Sequence, residues 1–525
     1  MNPYMPGTAF VPDGEPRVFE HNGERRVYIY GSRDDTITDY CGLGHDVWSA
    51  SVENLTDWTN HGEAFSLSQI QELGHGIIPN NGFQILAAPD CVYNPKTKKY
   101  YLYTFLGKGD PKTSEKEPPW ELKIWVAESG SPIGPFVNPI GCPWPYLGAG
   151  KAFDPAVLVD WDGKNTDTVR VYAYWGFRTS NNCMAEVDAE NMNVIKEDTL
   201  VKAPYGTPCF FEASSIRKVG DKYVFIYSGM GTEEPLYPDV ILEPNTLYYS
   251  YADHPLGNPA ARTKSNQSGR AWTFGGAVIS NKGRLIPETD NSWSWTYGNN
   301  HGGLFEIDGQ WFVNYHRPAP DSFNRQAMME PVEISYEPGV GGKVTIEQAQ
   351  MTSSGVEFDG LNAFKRYNAS ITCYKESTLM QEGKTVEIAV AGDLRPADGK
   401  LPVINIGNGS ILGYEYMNFG KAPITNDKNL IFKCSIKTPQ NGYLEVLISD
   451  PNNPLDDVIN HTKTVVGKID FERNNDWYEL EGALCKIDAC KLPLVGKRGV
   501  YLKFSGFCGG DKEVAQLEEI EFSFK

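Results

Sequence analysis

The sequence predicts an all-β protein: a five-bladed β-propeller over residues 1–350, followed by a jelly-roll-like β-sandwich over residues 355–525. Three observations predict it. One turn-and-strand pattern recurs five times in the first two thirds of the chain. The recurrence stops near residue 355, although short alternating strands continue. Glycine (52), proline (35) and aromatic residues (12%) are abundant, which suits many short strands joined by turns.

The five copies are GERRVYIYGS (23–32), TKKYYLYTF (97–105), DTVRVYAYWG (167–176), VGDKYVFIYSG (219–229) and DGQWFVNYHR (308–317). Each alternates aromatic or aliphatic residues with others at period two, the signature of a strand, and NG, GD or DG before it marks a hairpin turn. The copies lie roughly 50 to 90 residues apart, the size of one four-stranded propeller blade with its loops.

Upstream of each copy a polar residue opens an apolar strand: Glu15 in EPRVF, Asp90 in APDCVY, Asp154 in FDPAVL, Glu212 in FEASSIR and His301 in HGGLFEI. Alone, each acid reads as a turn residue and the histidine as a satisfied core side chain. In register they say more. The innermost strands of a propeller begin around one axis, so four carboxylates and an imidazole should face a common pocket. Gathering carboxylates out of water is costly unless they do chemistry or hold a cation.

Two carboxyl groups across a pocket are the equipment of glycoside hydrolysis, one protonated to serve the leaving oxygen and one ionised to activate water. Glu212 follows two phenylalanines, which favours its protonated form and makes it the natural acid. Asp154 is the natural modulator, its charge holding the proton on its neighbour.

With these motifs in place, the chain resembles glycoside hydrolase family 43. The likeness runs through NPYMPGTAFVPDGEPRVF, YIYGSRD, APDCVYNPKTKKYYLY, FDPAVLVDWDG, FFEASSIRKVGDKYVFIYS and NHGGLFEIDGQWFVNYHR, to about residue 350. It implies a general base at the acid-Pro pair of the first blade, a modulating Asp154 and a general acid Glu212. The family usually carries Asp before that proline where this chain has Glu15, so Glu15 is taken as the base with Asp13 and Asp90 open as alternatives. It implies inversion by a single attack of water, with the carboxyls about 6.5–9.5 Å apart. His301 resembles an axial histidine that supports a calcium ion through water, and no organic cofactor is implied. Arg325, in FNRQAMMEP, resembles a substrate-binding arginine. Asp90, Trp175 and His301 join it as expected sugar contacts, and Trp48, Trp293 and Trp295 are further candidate stacking faces.

Beyond residue 355 the strands KTVEIAVAG, NLIFKCSIKT, GYLEVLISD, GVYLKFSG and EEIEFSFK, with Gly/Asn/Asp loops, read as a β-sandwich. The run INIGNGSILGYEYMNFG, with NNDWYELEGAL, resembles family-six-like carbohydrate-binding modules. Tyr414, Tyr416 and Trp477 would be its sugar platform.

The remaining expectations are about partners and place. With 48 Lys+Arg against 67 Asp+Glu the formal charge is −19, which lacks the basic footprint a nucleic-acid partner demands. No apolar run reaches membrane-spanning length, and the first residues lack the basic start and apolar stretch of a leader. The chain as given therefore reads as cytoplasmic, or as secreted or periplasmic if a leader was trimmed. Ten scattered cysteines form neither a metal-ligand pattern nor a dithiol motif. The function expected is an inverting exo-glycosidase, an α-L-arabinofuranosidase or β-xylosidase acting on oligosaccharides. A β-galactofuranosidase or β-1,3-galactosidase and a catalytically silent carbohydrate-binding propeller are the alternatives.

Overall fold

Two-residue turns start the construction. Asn22 and Gly23 both take positive φ (54° and 78°), as do Asp308 and Gly309 (50° and 92°), and each pair closes a hairpin whose flanking residues face each other, His21 with Glu24 and Ile307 with Gln310. That backbone twist matches the twist of the strands it joins, so these dipeptides fix register as well as direction.

The computed structural model describes residues 1–35, 40–75, 83–109, 121–145, 152–178, 182–230, 242–282, 295, 300–318, 324–376, 386–388, 399–421, 430–449, 464–484, 494–507 and 515–525. Among these residues, five antiparallel sheets arise from the five copies of the repeat. Their first strands are Glu15–His21, Phe83–Asn94, Ala156–Asp160, Phe210–Val219 and Gly303–Ile307. Each of the first four sheets has four strands and the fifth has three among the described residues. The first strands neighbour one another in a closed ring, the last lying against the first, so the sheets are the blades of a five-bladed propeller.

The alternation in the repeat packs both faces of a blade. In Arg170–Trp175, Val171, Ala173 and Trp175 join Tyr103, Val126 and Val157 in the core between blades two and three. Tyr172 and Tyr174 point the other way, to Phe225, Tyr227 and Trp272 of blade four. Fully burying one large apolar side chain contributes about 1.5–3 kcal/mol, so these interblade cores are the main adhesive of the ring. The cysteines Cys41, Cys91, Cys142, Cys183, Cys209, Cys373 and Cys434 are buried thiols.

The chain divides into two compact units. One comprises Ala9–Arg284 and Thr296–Gln350, and contains the propeller. The other comprises Met1–Thr8, Leu285–Trp295 and Met351–Lys525. The sequence boundaries of 1–350 and 355–525 did not anticipate that the first residues and Trp295 group with the C-terminal unit. Trp295 is buried there, with Nε1 donating to Cys373 O at 3.3 Å and Lys375 Nζ 4.4 Å from the ring centroid. Among its described residues this unit holds two six-stranded sheets, and a single core joins Leu412, Tyr414, Val446 and Leu502 of one to Phe432, Cys434, Leu517 and Phe522 of the other. Most of KTVEIAVAG lies outside the described residues, with Glu387–Ile388 forming a short strand. Tyr414 belongs to the core and donates to Ala369 O at 3.2 Å, so it offers no platform.

Candidate active site

The acids at the head of the propeller owe their aim to irregular backbone. Asp13 and Asp154 both adopt positive φ, 56° and 45°, as does Ala213 (65°), directly after Glu212. The pairing of Phe210–Val219 with Lys222–Gly229 also slips register on both sides of Glu212. Left-handed backbone at non-glycine residues is uncommon, and a bulge re-aims the side chains around it. The geometry persists because each site is tied down by hydrogen bonds.

Asp13 is bound through both of its oxygens. Its Oδ1 accepts from Arg325 Nη1 at 2.7 Å and its Oδ2 from Ser32 Oγ at 2.7 Å, while its own amide donates to His316 Nδ1 at 3.1 Å. Burial opposes ionisation here, but the Arg325 charge, followed by the two histidines and the Ser32 hydroxyl, holds the carboxyl well below the usual carboxylate range. Asp13 is therefore ionised. His301 Nδ1 lies 3.6 Å from Asp13 Oδ1 and 3.6 Å from Asp154 Oδ2, which places the imidazole between the two acids. Burial pushes its pKa down to about 4, so near neutral pH the ring is uncharged.

Asp154 has the opposite electrostatics. It is buried, and burial, then the negative charges of Glu212 and Asp13, push its pKa well above the usual value, against the pull of the Ala213 amide, which donates to Oδ2 at 2.9 Å. Asp154 and Glu212 thus behave as one pair that retains a proton where separate carboxylates would have lost it. Glu212 is only half-buried and so is the member open to a ligand. Phe153 and Phe211 precede the two acids, and Phe177 packs between them with ring centroids 4.6 and 5.4 Å away.

Glu15 and Asp90 belong to a separate cluster around the axis. Glu15 Oε1 lies 2.6 Å from Arg217 Nη1 and 3.6 Å from Arg17 Nη2, and accepts from Ser215 Oγ at 3.0 Å. Asp90 is gripped by Arg17, whose Nη2 reaches Oδ2 at 2.6 Å and whose Nε reaches Oδ1 at 2.9 Å, and by the Val157 amide at 2.7 Å. A side chain on Gly303 would meet Glu15 Oε2 at 2.5 Å. All five inner strands thus converge on two acids and two guanidiniums that neutralise one another, a device that closes the ring with buried charge.

The five residues read as one convergent set therefore fall into two groups, Asp154, Glu212 and His301 with Asp13 and Arg325, and Glu15 with Asp90. Glu15 is committed to arginines. Asp90 is buried and saturated by Arg17 and Val157, which corrects its reading as a sugar contact. Trp175 is also corrected: it is fully buried, donates to Pro145 O at 2.8 Å and has no face for a ligand. Trp48 is likewise buried, and Trp293 lies outside the described residues. Arg325 is buried and directs its guanidinium to Asp34, Asp13 and Cys41, so it serves the protein's own carboxylates rather than a sugar.

A calcium ion takes six to eight oxygens. The oxygens facing His301 Nδ1 are those of Asp13 and Asp154, already engaged by Arg325 and the Ala213 amide, and no group of three or more His, Cys, Asp or Glu among the described residues could hold a metal. These residues do not make a calcium cage, and no step is assigned to one.

Sequence reasoning gave no role to Ser32 and Asp34 within YIYGSRD or to His316 within DGQWFVNYHR, and passed over the guanidiniums of Arg17 and Arg217. Those two did leave a signal: Glu15 and Arg17, and Ser215 and Arg217, stand two apart on a strand and so share a face.

The chain is similar to several known proteins. The xylosidase/arabinosidase of Thermoclostridium stercorarium is 31% identical over 403 residues, spanning 71% of this chain and 71% of that protein. An arabinoxylan arabinofuranohydrolase of Paenibacillus polymyxa is 24% identical over 544 residues, spanning 98% of this chain and 72% of that protein. Among solved structures, the family 43 arabinoxylan arabinofuranohydrolase of Bacillus subtilis, in complex with cellotetraose, aligns over 100% of this chain and 97% of its own, with 19% identity and a TM-score of 0.45. Residues 11–337 match the model of the glycosyl hydrolases family 43, and the chain belongs to that family of glycoside hydrolases.

Proposed function

We propose that this glycoside hydrolase removes terminal α-L-arabinofuranosyl or β-xylosyl residues from arabinoxylan-type oligosaccharides with inversion, using Asp13 as general base, Glu212 as general acid and Asp154 as modulator of the acid. The sugar class is supported by the xylosidase/arabinosidase and arabinoxylan arabinofuranohydrolase names of the relatives. The observation that carries the chemistry is the contrast between two neighbouring acids: Asp13 is held ionised by Arg325, while burial and charge keep a proton on the Asp154/Glu212 pair. Such a divergence separates a base from an acid in one pocket. Glu15, the base expected from the sequence, is set aside because its contacts are Arg217, Arg17 and Ser215 of the axial cluster, whereas Asp13 shares His301 with Asp154.

In this reading Asp13 takes a proton from water as the water oxygen attacks the anomeric carbon. The glycosidic C–O bond breaks, and Glu212 gives its proton to the leaving oxygen. Neutral His301, between Asp13 and Asp154, keeps the base and the modulator apart without adding charge. The half-buried Phe177 ring, packed on the phenylalanines that precede Asp154 and Glu212, supplies an apolar wall for the sugar.

We also read the C-terminal unit as a carbohydrate-binding-module-like β-sandwich, supported by its two sheets over one core. A panel of p-nitrophenyl glycosides tests the main reading. The α-L-arabinofuranoside or β-D-xyloside should be cleaved in preference to β-galactofuranoside and β-galactopyranoside. Cleavage of the galactosides alone would overturn the sugar assignment.

A further inference from the structure

Asp34 lies in the loop after Glu24–Tyr30 and is completely buried. Its two oxygens hold one face of Arg325: Nε donates to Oδ2 at 3.0 Å, Nη2 donates to Oδ1 at 2.9 Å, and the Arg325 amide donates to Oδ2 at 2.9 Å. The carboxylate is itself fixed by the Cys41 amide, which donates to Oδ1 at 3.0 Å. The remaining arm of the guanidinium, Nη1, is the one that reaches Asp13. Ser32, two residues before Asp34, binds the other oxygen of Asp13.

A guanidinium is a rigid planar fork, so seating Nε and Nη2 on one carboxylate dictates where Nη1 points.

We propose that Asp34 is a positioning residue for the hydrolysis: acting through Arg325, it aims Asp13 at the water from which Asp13 takes a proton. The proposal rests on the reading of Asp13 as base. It differs from a purely structural role in one respect. Loss of Asp34 should be a defect in water activation, and a nucleophile without a proton to lose should bypass it. With azide, the glycosidic C–O bond breaks, a C–N bond forms, the proton of Glu212 goes to the leaving oxygen, and Asp13 accepts nothing.

The test compares Asp34→Asn, Asp34→Glu, Arg325→Lys and Asp13→Ala on the p-nitrophenyl glycoside that the unaltered protein cleaves, with and without sodium azide. Asp34→Asn should lower kcat/KM about 10- to 100-fold, less than outright loss of a general base. Azide should restore turnover several-fold and give a glycosyl azide of inverted configuration, and Asp34→Glu should recover much of the loss without azide. Arg325→Lys, which cannot seat on Asp34 with two nitrogens, should show the same azide-responsive defect and serves if Asp34→Asn does not fold. Unchanged activity in Asp34→Asn, or a loss that azide leaves untouched while restoring Asp13→Ala, would overturn the proposal. Failure of azide with Asp13→Ala would instead remove the base assignment, and this inference with it.

Discussion

Arg325 Nη1 donates to Asp13 Oδ1 at 2.7 Å across 312 residues, joining the last blade of the propeller to the turn that opens the first. One contact therefore does two jobs. It helps close the ring, and it fixes the ionisation of the carboxylate that shares His301 with Asp154. In the proposed mechanism, chemistry and ring closure share residues at this seam, so substitutions there should be read in both activity and stability.

The proposed acid can be tested through its leaving group. Glu212→Gln removes the transferable proton and should cost about 10²–10⁴-fold in kcat on a natural oligosaccharide. The loss should be much smaller on a dinitrophenyl glycoside, whose leaving group departs without protonation. Equal losses on both substrates would remove Glu212 from the acid role.

Asp154 should mark both activity and stability with pH. In Asp154→Asn the acid loses the neighbouring charge that holds its proton, so the basic limb of the kcat/KM profile should move to lower pH. For stability, the folded pKa of Asp154 lies above its unfolded value. Below the unfolded value both states are protonated and the group costs nothing. As pH rises, the unfolded chain ionises freely while the folded site resists, so stability is lost until pH passes the folded pKa. Asp154→Asn should therefore be more stable than the unaltered protein near neutral pH, by about 1 kcal/mol for each pH unit of displacement relieved. The gap should close near pH 3, and urea titrations at the two pH values will show whether it does.

The axial charge cluster should behave as structure. Arg217→Met leaves Glu15 buried with Arg17 as its remaining cation, 3.6 Å away, and breaking a buried pair from one side costs about 3–5 kcal/mol. Converting both partners, Glu15→Gln with Arg217→Met, should cost clearly less than the two single changes added together. Additive losses in a double-mutant cycle of urea unfolding would show that the pair is not coupled.

The blades were legible in the sequence because their signals are local. The Asn22-Gly23 turn and the alternation of Val27, Tyr28, Ile29 and Tyr30 specify a hairpin from adjacent residues alone. The register of Asp154 and Glu212 was legible for the same reason, since each opens an inner strand or sits at its bulge. Asp13 was not. Within PDG it reads as a turn residue, and its distinction from Glu15 depends on which arginine each meets, Arg325 for one and Arg217 for the other, both far along the chain. The buried fate of Trp175 was hidden likewise, because its alternation fits a core face and a ligand face equally well. So was the grouping of Trp295 with the C-terminal unit, because its partner Cys373 in that unit lies 78 residues further along the chain.

The central claim, that Asp13 and not Glu15 activates water for a single inverting displacement, is tested most directly by azide rescue of the two alanine variants, with product configuration read by proton NMR. Asp13→Ala should be nearly inactive and regain turnover with azide, giving a glycosyl azide of inverted configuration, while Glu15→Ala should be destabilised and unresponsive to azide. Rescue of Glu15→Ala in place of Asp13→Ala, or a product of retained configuration, would contradict it.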